Sequence, residues 1–234
     1  MEEYREKKHD YQKYAGKEKE ERRELASTYG DLERKRFLLS RNPELKERLE
    51  ILQVLVYEMQ KEHPEIISLS LFGSLTKGYA TPESDYDGYI NIDSAHERQL
   101  GHKHSPNSLA NMLAESLRAR LPNSKGQINI FESPPLNGKL AIIEACGEEK
   151  LQWNQSIFKL FMLSVGERGK INEYRKIVLD ALSSDRKQGE HKWKLIVGDL
   201  FQFENAGFSS RFAEKREHLY PRTLEEAKKY FLHE

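Results

Sequence analysis

Two residue groups in this chain have the types and spacing to do chemistry together: Gly73-Ser74, and Asp85 with Asp87 after ten intervening residues. A glycine directly after a strand lets backbone approach a phosphate closely, and a serine hydroxyl beside it can donate to a phosphate oxygen. Carboxylates at i and i+2 on a strand point to one face, because side chains alternate with period two. Two anions held that close repel, and a divalent cation relieves the repulsion. A phosphate-gripping turn beside a metal-binding aspartate pair is the minimum equipment for nucleotidyl transfer. The plain alternative is a β-turn with surface acids, since Asp-x-Asp alone is common; the ordered combination of strand, Gly-Ser, spacer and strand-borne acids argues against it.

The elements that must position these residues are readable around them. Apolar alternation at Ile67, Leu69 and Leu71 predicts a short buried strand ending at Gly73. Residues 75–84 carry turn chemistry, and residues 86–92 form a second strand. Upstream, Asn42-Pro43 is a helix start, with Asn as cap and Pro at the first helical position. Leu45, Leu49, Leu52, Leu55 and Met59 then give one apolar stripe, ending near Glu62 before Pro64. Downstream, residues 91–107 read as a polar loop. His96, His102 and His104 in it suggest a metal cluster, but no carboxylate that would orient their rings is evident beside them. Residues 108–121 form an amphipathic helix ended by Pro122-Asn123-Ser124, and residues 127–131 a third strand. Asn137-Gly138 signals a hairpin turn, with a fourth strand over residues 140–145. Residues 149–234 read as helical, with apolar segments at 171–182, 193–203 and 224–232.

The text GSLTKGYATPESDYD, with Gly73-Ser74 and Asp85-Tyr86-Asp87 at this spacing, resembles the signature of the DNA polymerase β-like nucleotidyltransferase superfamily. The likeness is to the branch of minimal and aminoglycoside nucleotidyltransferases, and it covers about a tenth of the chain. It implies an α/β (α+β) fold with a small mixed β-sheet core, extended by helices at both ends. It also implies a transfer in which Asp85 and Asp87 hold Mg²⁺, or Mn²⁺ in its place, while Gly73 and Ser74 grip the phosphates of an NTP, ATP in the first instance. A nucleoside monophosphate would pass to an acceptor hydroxyl with release of pyrophosphate. Members of the family usually carry a third acid on a later strand. Here the third strand reads Ile128-Asn129-Ile130, with Asn where the acid would sit, while the expected fourth strand offers Glu144 between Ile143 and Ala145. Either Glu144 is the third acid or Asn129 is a genuine departure. Asn can offer a carbonyl oxygen to Mg²⁺ but brings no negative charge and is no base near pH 7. Glu132 lies just past the third strand with the opposite pleat parity. Family members often close the nucleotide site with C-terminal helices carrying basic residues, so Lys159, Lys170 and Arg175 are candidates for triphosphate contact, against a solvated helix face for each. Tyr174 or Trp193 would stack on a base or belong to the core.

Composition bounds the rest. The chain has 234 residues, no net charge and 32% charged residues, so no overall field favours nucleic acid or anionic membrane. Cys146 is the single cysteine, which rules out an internal disulfide and a cysteine-rich zinc site. Without a long apolar run, the expectation is a soluble, cytoplasmic protein with no membrane association. The organisation reads as a charged helical extension over residues 1–41, a nucleotidyltransferase core over 42–165 and a C-terminal helical region over 166–234, with residues 166–169 as the boundary. The partners implied are an NTP and a hydroxyl acceptor of unspecified kind: a small molecule, a protein or an RNA end. The helical extensions could also engage a protein partner. Two rival functions remain open at this point, a catalytically impaired nucleotide-binding regulator and a partner-binding module of the toxin–antitoxin type.

Overall fold

A computed structural model describes residues 43–74, 83–101, 105, 107–121, 126–147, 157–206 and 220–232. The charged extension over residues 1–41, the turn residues 75–82, His102, His104 and residues 148–156 lie outside them. The architecture is α+β. In chain order the elements are α1 (Pro43–Glu62), β1 (Ile66–Phe72), β2 (Tyr86–Ile92), α2 (Ser94–Leu100), α3 (Ser108–Arg120), β3 (Ile128–Glu132) and α4 (Gly138–Gly147). A 3-10 turn (Phe158–Phe161), β4 (Ser164–Val165), α5 (Arg168–Ser184), α6 (Gly189–Asn205) and α7 (Leu224–Leu232) follow. The strands form one mixed sheet in the order β3-β2-β1-β4, with β2 antiparallel to β1 and parallel to β3.

The two faces of this sheet bury different things. Leu69 and Leu71 of β1, Tyr86, Ile90 and Ile92 of β2, and Ile130 of β3 pack against α1 and α3, through residues such as Leu52, Val56, Leu113 and Leu117. The opposite face carries the alternate residues: Ser68, Ser70 and Phe72 on β1, Asp87, Tyr89 and Asn91 on β2, Asn129 and Phe131 on β3. A second apolar core, built by α4 to α7 around Trp193, Leu160, Val178 and Leu179, borders that face through Phe72, Phe158 and Phe203. One face is therefore oily throughout, and the other grades from buried polar groups to aromatic rings to carboxylates.

Two expectations need correction. Residues 91–107 are not simply a loop, because Asp93 caps α2 by accepting from the Ala95 amide at 2.9 Å, and Gly101 closes it with a left-handed φ of 70°. Cap chemistry organises a polar segment whose composition carries no apolar stripe. Residues 140–145 are not a strand but the middle of α4. Ile142 and Cys146, four apart, are the buried positions, while Leu140 and Ile143 face outward; a short run of β-branched and apolar residues does not declare its period. The fourth strand is instead Ser164–Val165, inside the stretch expected to be helical, paired with the other edge of β1.

α1 does more than cover the sheet. Gln53 exchanges two hydrogen bonds with the Gly166 backbone, at 2.7 and 3.0 Å. Gln60 donates to the Ile67 carbonyl and accepts from the Glu167 amide. These amide side chains satisfy strand-end backbone groups that would otherwise be buried without partners.

Candidate functional site

The register places Phe72, Asp87 and Asn129 side by side across β1, β2 and β3, on the polar face. Asn129 donates from Nδ2 to Asp87 Oδ1 at 3.0 Å. The other carboxylate oxygen lies against Gly73, where the chain leaves β1 with φ of +74°: a Cβ there would sit 2.2 Å from Asp87 Oδ2. Only glycine fits both the left-handed backbone and the carboxylate beside it. Ser74, half-buried and helical in conformation, follows directly.

Asp85 lies just before β2 begins, and both it and the residue before it are anchored. The Gln127 amide donates to its Oδ1 at 2.8 Å. The preceding carbonyl, of Ser84, accepts from the Arg48 guanidinium of α1 at 3.2 Å. Gly126 packs so closely on that same carbonyl that a Cβ would meet it at 2.1 Å. Arg48 is itself buried and lies over the Tyr86 ring, 4.9 Å from its centroid. The structure thus brings Gly73 and Asn129 to Asp87, with Ser74 following Gly73 and Asp85 two residues before Asp87 in the chain.

Glu144 is not part of this arrangement as a strand residue. It sits on the exposed side of α4, so the strand geometry that recommended it as the third acid is absent. Glu132 is engaged elsewhere, its Oε1 accepting from the Leu109 amide at 2.8 Å and from that of Ala110, which caps α3. Among the described residues no group of three His, Cys, Asp or Glu side chains could hold a metal ion, which includes His96. The donor set of Asp85 and Asp87 fits one hard divalent cation of the Mg²⁺ kind, which typically takes one or two carboxylates and completes its shell with phosphate oxygens and water. Asn129 presents an N–H to Asp87, so it supports the carboxylate as a donor.

The basic and aromatic candidates are placed in other roles. Arg175 is buried and donates to the Leu160 and Met162 carbonyls at 2.7 and 3.0 Å. Lys170 donates to the Pro64 carbonyl, and burial lowers its pKa. Lys159 is only 6% exposed; its Nζ lies 3.9 Å from the Tyr89 ring centroid, and burial pulls its pKa below the usual lysine range. None of the three sits on a solvated helix face. Tyr174 is buried and donates to Asp93, and burial with that hydrogen bond pushes its hydroxyl above the usual tyrosine range. Trp193 is fully buried with its indole N–H on the Pro221 carbonyl at 3.0 Å. Both are core residues.

What the sequence reading passed over is the row next to the carboxylates. Tyr89 and Phe131 are in register, one pleat beyond Asp87 and Asn129 on the same face. Tyr89 stacks on Phe72 with centroids 5.0 Å apart and touches Phe203 at 6.0 Å and Phe131 at 6.1 Å. Counting by twos from Asp87 and Asn129 would have found both. Below them, Asn91 donates to Ser68 Oγ and Ser70 Oγ and accepts from Ser133 Oγ, and Ser70 Oγ donates to the Lys159 carbonyl at 2.7 Å. This satisfied network closes the floor of the polar face. A cleft of about 590 Å³ also reaches Asn129, but Tyr86, Leu117, Leu121 and Ile128, which line it, belong to the apolar side of the sheet. Comparison with protein-family models, with curated proteins and with solved structures finds no match for the chain. No helix among the described residues is long and apolar enough to cross a membrane.

Proposed function

We propose that the chain is a Mg²⁺-dependent nucleotidyltransferase that moves a nucleoside monophosphate from an NTP to an acceptor hydroxyl and releases pyrophosphate. The observation that carries this reading is the seating of Gly73 against Asp87: a glycine-only turn abuts the carboxylate of Asp87 on β2, with Asp85 just before the strand and a serine hydroxyl next to the glycine in sequence. Such a turn lets backbone amide groups approach phosphate oxygens, and the Ser74 hydroxyl adds a donor. Mg²⁺ held by Asp85 and Asp87 would supply neutralisation of triphosphate charge. Asn129 fixes the Asp87 carboxylate through its amide hydrogen, and the Gln127 amide fixes Asp85. Rate gain in such a site comes from positioning and charge neutralisation rather than a covalent intermediate.

A second reading has its own observation. With Asn129 where a third carboxylate would stand, neither strand neighbour of Asp87, Phe72 or Asn129, can take a proton from the acceptor, which favours a nucleotide-binding regulator without turnover. Pyrophosphate release with each NTP and Mg²⁺, with and without a cell extract as acceptor source, decides between them. Release that requires both the extract and the aspartates, and disappears in Asp85→Ala and Asp87→Ala, supports the transferase. Mg²⁺-dependent NTP binding without release supports the regulator. Release unchanged in either aspartate variant refutes the metal assignment.

A further inference from the structure

We infer that Phe131, braced by Tyr89, forms a shelf on which the nucleobase of the NTP stacks, an inference that rests on the nucleotide-binding reading above. The sheet gives the site a direction. Gly73 and Ser74 mark the end where β1 leaves the sheet; Asp87 and Asn129 come next, and Tyr89 and Phe131 lie one pleat further along β2 and β3. A pleat repeat is roughly 7 Å, the gap a ribose bridges between an α-phosphate and its base. With the β- and γ-phosphates at the Gly73-Ser74 turn and the α-phosphate at Asp87, the base falls over the aromatic row.

The row has the properties such a shelf needs. Phe131 is 48% exposed although its strand neighbour Ile130 is buried, so its ring is open to a ligand. Tyr89 is fixed by its neighbours, with Phe72 stacked on it, Phe203 at its side and Lys159 Nζ over its ring, and it braces Phe131 with ring centroids 6.1 Å apart. A ligand ring therefore meets a preformed platform and orders little upon binding. Stacking of this kind tolerates every base, because each has a π-face, so the shelf predicts broad NTP use rather than selection of one base.

The test is calorimetric binding of Mg·ATP, Mg·GTP and Mg·tripolyphosphate to wild type, Phe131→Ala and Phe131→Trp. The expected result is a loss of about tenfold in affinity for both nucleotides in Phe131→Ala, affinity kept in Phe131→Trp, and tripolyphosphate binding unchanged throughout. Nucleotide affinity unchanged in Phe131→Ala, with wild type still binding tripolyphosphate, overturns the shelf and leaves the phosphate site standing. An equal loss for tripolyphosphate also overturns it, since the ring would then be supporting the phosphate site. Wild type that binds none of the three overturns the nucleotide-binding reading and the shelf with it. Phe131 is half-exposed, so a matching melting temperature checks that the variants are folded.

Discussion

Replacing Asn129 with Asp restores a third acid and probes the arrangement around Asp87 directly. The wild-type amide donates to Asp87 Oδ1 at 3.0 Å. The substitution exchanges that attraction for a second anion, with the side chains forced apart to about 4 Å. At an effective dielectric near 20 the repulsion is about 4 kcal/mol, and half-exposure of both groups brings it to about 2 kcal/mol. Loss of a hydrogen bond to a charged acceptor adds about 1 kcal/mol or more. The sum, about 3 kcal/mol, lowers the melting temperature of a chain this size by about 6–12 °C at neutral pH without metal. The pH dependence has a definite sign. Repulsion raises the carboxyl pKa of the pair in the folded state, so the folded chain binds the extra proton. The destabilisation grows as pH rises through the ordinary carboxylate range and vanishes below it. Millimolar Mg²⁺ should restore most of the loss in Asn129→Asp and accelerate any pyrophosphate release. Thermal melts at neutral and acidic pH, with and without Mg²⁺, read all of this. Equal melting of Asn129→Asp and wild type at neutral pH without metal would refute the placement of the amide against the carboxylate.

Gly73→Ala should lose Mg·NTP affinity and about 1–2 kcal/mol of stability or more, because a Cβ meets Asp87 Oδ2 at 2.2 Å on a left-handed backbone; binding unchanged by calorimetry would show that the turn is not the phosphate seat. Lys159→Met tests the buried cation over Tyr89. Burial lowers the Lys159 pKa, so the unfolded chain binds more protons just below 10.5 and stability rises as pH climbs toward that value. Urea denaturation across that range should show the rise in wild type and a flatter profile in the variant, and parallel profiles would contradict the burial.

Much of the framework was legible because it is local. The Asn42-Pro43 start and the Leu stripe gave α1 to its last residue, Glu62, and the turn chemistry before Asp85 gave the start of β2 at Tyr86. Period failed where segments were short. The run Leu140-Ala141-Ile142-Ile143 suits a strand by composition, and its helical period shows only in which of its residues are buried. Asp93 reads as one more polar residue until its cap to Ala95 is seen. In the candidate site, Gly73, Ser74, Asp85 and Asp87 could be picked out by spacing. The position of Asn129 opposite Asp87 could not be settled, since it depends on parallel pairing between strands separated by α2 and α3. The burial of Lys159 and Arg175 was equally hidden: their long aliphatic stems let a charged residue line a core, and only tertiary packing reveals it.

The anchoring of Asp85 has a consequence for how the chain folds. Arg48 reaches the Ser84 carbonyl across 36 positions of sequence, and the Gln127 amide reaches Asp85 across 42. Neither contact belongs to a segment that can form alone, so loop closure must precede the site. The separations predict that Asp85 is set in place late, once α1 and β3 have docked on the antiparallel pair β1 and β2. A ligand that needs Asp85 therefore draws on the stability of the whole sheet layer and returns stability to all of it. Saturating nucleotide should slow proteolysis in α1 and β3 as much as in the turn that it touches.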